Sequence, residues 1–207
     1  ITANKVLLSV GRTPYIDGLG LEKAGIELNQ NKKGIKVNSK MQTNVSNIYA
    51  IGDVTNIILL AHAASHQGIV AVNNIMGRPC DMDYTVVPSA IFTEPEIGMV
   101  GIGEKAAKLQ GIEVEVGRFS FSANGKALCY GESNGFIKII KNKSTERIIG
   151  ASIVGLYATD LIAELTLAIK NNLTAEAITE TIHAHPTTAE VIYEAALSLV
   201  GGDIPFA

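Results

Sequence analysis

The 207 residues are 47% hydrophobic and 18% charged with 20 glycines, the make-up of an ordinary α/β or α+β protein able to bury a real core. A formal net charge of −3 speaks against a general nucleic-acid binder, which carries a basic surface, so no nucleic-acid partner is expected. No apolar run has the length of a bilayer-spanning helix and no signal peptide opens the sequence, so no membrane partner is expected either. Cys80 and Cys129 stand far apart, outside any Cys-x-x-Cys spacing, which reads as buried or unreactive thiols in a cytoplasmic setting. The opening Ile1-Thr2-Ala3 lacks an initiator methionine and runs straight into apolar residues, as in a chain that begins inside a longer protein.

Residues 5–10 read as a buried strand ending at the turn Gly11-Arg12-Thr13-Pro14. In open α/β sheets ligands gather at the carboxyl ends of strands, where a glycine admits a cofactor and an arginine meets a phosphate; a plain structural turn has the same spacing. A short helix is expected at 19–24, then short strands at 26–28 and 34–37 around a polar turn. Residues 43–53 run a strand into Gly52-Asp53, and an aspartate there accepts hydrogen bonds from vicinal hydroxyls, although Gly-Asp is also a common turn. From Ala61 to Met76 the pattern is helical, stopped by Gly77 and Pro79. His62 and His66 lie one turn apart on it, but no third ligand is evident and no metal site is expected.

Polar residues and proline around 81–88 mark a boundary, giving segments 1–84 and 85–207. Strands are expected at 89–92, 97–101, 113–121, 135–141 and 148–154, with turns at Asn124-Gly125, Asn134-Gly135 and 142–146. Helices are expected at 104–110, 159–170 and 175–180, and a last one at 187–200. Before that last helix stands Thr181-Ile182-His183-Ala184-His185-Pro186-Thr187. Proline suits the first helical position, which places His185 at the mouth of the helix. Helical side chains lean back toward the N-terminus, so Glu190 points at the imidazole and fixes its tautomer, leaving the other nitrogen free to exchange protons. A polar cap or surface histidine is the alternative at this point.

His-Ala-His-Pro-Thr followed by Glu190 resembles the signature near the C-terminus of the dihydrolipoamide dehydrogenases, a family of flavin disulfide oxidoreductases. Val-Gly-Arg-Thr-Pro at 10–14 resembles the segment closing the family's NAD domain, with Tyr15 where asparagine is usual. Residues 43–53 together with Leu60-Ala61-His62 are similar to its second FAD motif, and Phe-Thr-Glu-Pro-Glu at 92–96 to its dimerisation domain. The resemblance implies an α+β fold: a dimerisation domain with an antiparallel sheet flanked by helices (85–207), preceded by part of an α/β FAD/NAD-binding region (1–84). It implies His185 as catalytic acid/base and Glu190 as its orienting partner, with no proton-transfer role for His183. Asp53 would bind the flavin ribityl chain. Gly52, Leu60, Ala61 and His62 would border FAD, where the positive end of the helix dipole stabilises the reduced ring, and Gly11 would border NAD.

The activity implied is NAD-dependent oxidation of protein-bound dihydrolipoamide through FAD and a redox disulfide. The partners implied are a second copy of the chain and the lipoyl-bearing acyltransferase of a multienzyme complex. The 207 residues contain neither a Gly-x-Gly-x-x-Gly fingerprint nor a Cys-x-x-x-x-Cys pair, so the chain alone is expected to be inactive, with FAD weak or absent. A non-catalytic dimerisation and partner-binding module is one alternative. A glutathione or mercuric reductase is another, disfavoured by His-Ala-His-Pro and by the absence of a C-terminal cysteine pair. The closing residues 201–207 are unlike the tail that the resemblance implies.

Overall fold

The computed structural model describes residues 1–201, so the tail at 202–207 lies outside the described residues. The chain divides into two compact units, one spanning Ile1–Asp83 and the other beginning at Tyr84.

In the first unit the expected strand at 5–10 is absent: the stretch has no regular structure and Leu7 is 91% exposed. A strand needs a neighbour for its backbone groups and a surface for its apolar side chains, and nothing among the described residues pairs with this one. The expected helix at 19–24 is a set of turns, with the amides of Lys23 and Ala24 on the Gly20 carbonyl. Residues 26–37 and 41–50 pair only through the single bridges Leu28–Ile35 and Gln42–Tyr49. Asn29 closes the first loop by accepting the Lys33 and Gly34 amides. The expected strand at 43–53 therefore shrinks to that one bridge, and Gly52–Thr55 is a 3₁₀ turn. Helix α1, Ala61–Ile75, follows where the periodicity puts it. Met41, Ala50, Ala63, Val70 and Ala71 are buried.

The second unit is built on one antiparallel sheet: β1 (Ser89–Ile91), β2 (Ile97–Gly101), β3 (Val114–Ser120), β4 (Phe136–Asn142) and β5 (Ile148–Val154). Their order across the sheet is β1-β2-β5-β4-β3. Side chains alternate between the faces of a strand, and the register carries that alternation across the sheet. One face aligns Gly98, Ile153 and Ile137, then Val100, Ala151, Ile139 and Gly117. Ile137, Ile139 and Ile153 are fully buried, each contributing about 1.5–3 kcal/mol of apolar transfer. The opposite face aligns Met99, Ser152, Lys138 and Arg118. There Glu104 bonds Lys138 at 2.7 Å and Arg118 at 3.3 Å, and these partners hold its carboxyl below the usual range.

The first of these faces is covered by helices. α4 (Ala158–Lys170) lies on β2 and β5, and α6 (Glu190–Leu197) on β3 and β4, with the short α5 (Ala175–Thr179) against α6. Two glycines allow the approach: a Cβ at Gly98 would stand 2.3 Å from the Ala158 carbonyl oxygen, and one at Gly117 2.2 Å from that of Ala195. The buried Lys141 straps the far end of this layer, donating to Glu146 at 2.7 Å, Glu115 at 3.2 Å and the Leu199 carbonyl at 3.4 Å. Its bond to Glu146 does most to raise its pKa, outweighing desolvation.

α2 (Glu104–Leu109) agrees with the periodicity, but α3 (Gly125–Tyr130) does not. Asn124-Gly125 reads as a hairpin turn, yet Asn124 is the N-cap of α3, its Oδ1 accepting the Ala127 amide at 2.9 Å. Asn-Gly serves either purpose, and the chain length between β3 and β4 decides for a helix. The exposed Cys129 lies on α3, contrary to a buried thiol, while Cys80 is half-buried.

Candidate active site

The histidine segment joins α5 to α6 without regular structure. α6 begins at Glu190, three residues later than the periodicity suggests, and Pro186 is not its first residue. Thr188 and Ala189 form only a preceding turn, their carbonyls accepting the amides of Val191 and Ile192. Thr187-Thr188-Ala189-Glu190 has the spacing of a capping box, and half of the box forms. Glu190 Oε2 accepts the Thr187 amide at 2.8 Å, while Thr187 Oγ1 donates to the Ala184 carbonyl at 2.7 Å. A carboxylate in the first turn also meets the positive end of the helix dipole.

The other oxygen of Glu190 lies 2.8 Å from Nδ1 of His185. One carboxylate thus fixes both the loop backbone and the ring. His185 is 78% exposed in its side chain and Glu190 25%, so the ring projects from the unit while its anchor is held within. Burial tends to raise the pKa of Glu190. The Thr187 amide, the His185 ring and the nearby His183 outweigh it and hold the carboxyl below the ordinary value. An ionised Glu190 accepts from Nδ1–H, which leaves the Nε2 lone pair directed away from the anchor.

The other histidine of the segment faces inward. His183 has an 8% exposed side chain, with Nδ1 at 2.9 Å from the Thr181 carbonyl and Nε2 at 3.0 Å from Glu164 Oε1 on α4. Its ring also meets Tyr193 of α6 at 5.8 Å. Asn124 reaches the same loop, donating Nδ2 to the Thr187 carbonyl at 3.1 Å. Glu164 and Asn124 could not be found from local pattern, since 19 and 63 residues separate them from their partners.

One turn beyond Glu190, Oε2 of Glu194 is buried with no hydrogen-bond partner among the described residues. Desolvation, and then the charge of Glu190, push its carboxyl above the usual range. The two carboxyls therefore have opposite linkage. The bonds of Glu190 stabilise the fold above the unfolded carboxylate value and are lost as pH falls through its lowered folded value. Glu194 holds its proton more tightly when folded, so stability falls as pH rises from about 4.3 through its raised folded value. Glu194→Gln is therefore predicted to melt higher at pH 8, by roughly 2–4 °C for each kcal/mol of relieved desolvation. The gap should close near pH 3.5, and thermal unfolding showing the same difference at both pH values would refute the assignment.

In the first unit Gly52 has a left-handed φ of +72°, and its amide donates to the buried Oε1 of Gln67 on α1 at 2.6 Å. Gln67, unmarked by any motif, thereby fastens the Gly52-Asp53 turn to α1. Asp53 sits in the 3₁₀ turn rather than at a strand end, and its carboxylate takes no hydrogen bond among the described residues. Leu60 is the N-cap of α1 and offers no side-chain cap, so the amides that open the helix at Ala61 and His62 face no capping group from it. Gly11 has a left-handed φ of +87° in an exposed loop. Asp53, Gly52, Leu60, Ala61, His62 and Gly11 thus belong to the first unit, and His185 and Glu190 to the second.

Residues 87–196 match the family described as pyridine nucleotide-disulphide oxidoreductase, dimerisation domain, and residues 1–68 match pyridine nucleotide-disulphide oxidoreductase. The dihydrolipoyl dehydrogenase of Chlamydia muridarum is 51% identical over 195 residues, covering 94% of this chain and 42% of that protein. One from Bacillus subtilis is 46% identical over 205 residues, covering 99% and 43%. The crystal structure of LpdA from Mycobacterium tuberculosis superposes with a TM-score of 0.88 at 30% identity, covering 93% of this chain and 42% of that one. The chain thus spans about two fifths of the length of the curated relatives it matches.

A five-stranded antiparallel sheet layered by α4 and α6 defines the second unit as a dimerisation domain of the oxidoreductase kind. The chain belongs to the pyridine nucleotide-disulphide oxidoreductase family.

Proposed function

We propose that the chain is the C-terminal part of a dihydrolipoyl dehydrogenase, with residues 1–84 completing an FAD/NAD-binding region and 85–207 forming the interface domain. What supports this most is the His185 Nδ1–Glu190 Oε1 bond of 2.8 Å, with the ring otherwise exposed, in a domain matched to dimerisation. Glu190 holds the proton-bearing nitrogen, and Nε2 of His185 accepts the proton of a dithiol S–H. The thiolate left behind is the nucleophile of disulfide exchange. Attack on the redox disulfide of the complete enzyme forms a mixed disulfide and releases a cysteine thiolate, to which Nε2 passes the proton, with Glu190 stabilising the charged ring in between.

FAD fits the first unit. Asp53 is a carboxylate that takes no hydrogen bond among the described residues, in a turn fastened to a helix whose N-cap residue, Leu60, supplies no side-chain cap. In this proposal Asp53 accepts from the ribityl hydroxyls and Ala61, with Gly52, Leu60 and His62, borders the ring. Bound FAD supplies the two-electron relay between a disulfide and NAD. Gly11 borders NAD on the strength of the resemblance, its φ showing only that glycine suits that turn.

The proposed partners are a second copy, whose dithiol site would receive His185, and the lipoyl-bearing acyltransferase of a multienzyme complex, with the cytoplasm as the proposed setting. The test is NADH formation from dihydrolipoamide. The full-length protein is predicted to turn over, and the 207-residue chain supplied with FAD is not. Turnover by the isolated chain would overturn its assignment as an incomplete enzyme. A full-length dimer that binds FAD yet oxidises no dihydrolipoamide would overturn the substrate.

A further inference from the structure

Glu190 fixes the ring of His185 but not the height of the backbone that carries it. The segment between Thr179 and Glu190 lacks helix and strand, so side chains must hold it. On one flank are the bonds of Thr187 to Glu190, Ala184 and Asn124. On the other flank His183 joins the segment to both helices of the layer, through Glu164 on α4 and the Tyr193 ring on α6.

We propose that Glu164 and His183 form the positioning pair for His185. The carboxylate on α4 pins the inner ring, and with only Ala184 between the two histidines that anchor limits the height of the outer one. This rests on the acid/base reading of His185 given above.

Proton counting strengthens the clamp. The Thr181 carbonyl only accepts, so Nδ1 of His183 carries a proton. Nε2 then faces a carboxylate oxygen at 3.0 Å, which places a second proton between ring and carboxylate. Such a charge-assisted bond, with an 8% exposed ring, is stronger and less screened than a surface pair. Both ring nitrogens are thus occupied, and His183 holds no free lone pair with which to exchange protons with a substrate. His185 has one ring nitrogen committed and one open. The two histidines divide the work, one holding and one reacting.

The test uses the full-length enzyme and reads both turnover and the His185 ring resonance by NMR. Glu164→Ala is expected to lower kcat by about 10- to 100-fold, the loss that a misplacement near 1 Å produces, with KM for dihydrolipoamide within about twofold. The His185 resonance and its titration midpoint should move in the same variant. Glu164→Gln, which can still bond Nε2, should restore most of both. If Glu164→Ala does not fold, His183→Asn keeps a polar group near Thr181 but falls short of α4, and the same losses are expected. Wild-type kcat with an unmoved His185 resonance in either variant overturns the proposal. Equal loss in Glu164→Gln and Glu164→Ala overturns it as well. If the full-length protein does not oxidise dihydrolipoamide, the substrate reading fails alone, because the ring resonance still reports the clamp.

Discussion

His185→Gln in the full-length enzyme is expected to lower kcat for dihydrolipoamide oxidation by about 10² to 10⁴, the usual contribution of a positioned acid/base. The fold should be untouched. The ring is 78% exposed, and its loss releases only one oxygen of Glu190 while the other still accepts the Thr187 amide. Glutamine fills a similar volume but neither takes nor gives a proton near neutral pH. Steady-state kinetics beside a thermal melt separate the two effects. An unchanged melting temperature with full activity would remove His185 from the mechanism, and a large drop in melting temperature would show a structural role instead.

Gly117→Ala is expected to cost stability rather than chemistry. The added Cβ would stand 2.2 Å from the Ala195 carbonyl oxygen, 2.7 Å from Leu199 Cγ and 2.8 Å from Ser198 Oγ. The first obstacle is backbone, so α6 as a whole must lift from β3. Overpacking of this kind costs about 1–3 kcal/mol or more, a fall of roughly 2–12 °C in melting temperature. α6 opens with Glu190, so the same displacement should also lower activity in the folded fraction. Gly125→Ala is the control: nothing lies within 4 Å of its added Cβ, and it stands at the start of α3, where alanine is expected to be neutral or stabilising. Calorimetry giving Gly117→Ala a melting temperature equal to wild type would mean that α6 does not sit on the strand as described.

The helices α1 and α4 and the strands β2 and β5 were legible because their patterns are local: a repeat near 3.6 for helices and two-residue alternation for strands, each ended by glycine or polar residues. The link between His185 and Glu190 was legible for the same reason, being five residues long. Where its helix starts was not, because Glu190 spends one oxygen on the Thr187 amide and the loop stays open to that point. Residues 5–10 failed for the opposite reason. Their apolar run satisfies a strand pattern, yet a strand exists only against a neighbour.

The order of residues by itself determined that an imidazole and a carboxylate would meet at the head of the last helix, since both partners lie within one loop and one turn. Only the folded chain decided which groups hold that loop, because Glu164, Asn124 and Tyr193 come from three different helical segments that sequence leaves unrelated. It alone also decided that Gly98 and Gly117 must be glycine, since what forbids a side chain there is a carbonyl oxygen tens of residues away. Short-range bonds can be read from spacing, whereas long-range ones exist only after burial has brought distant elements together.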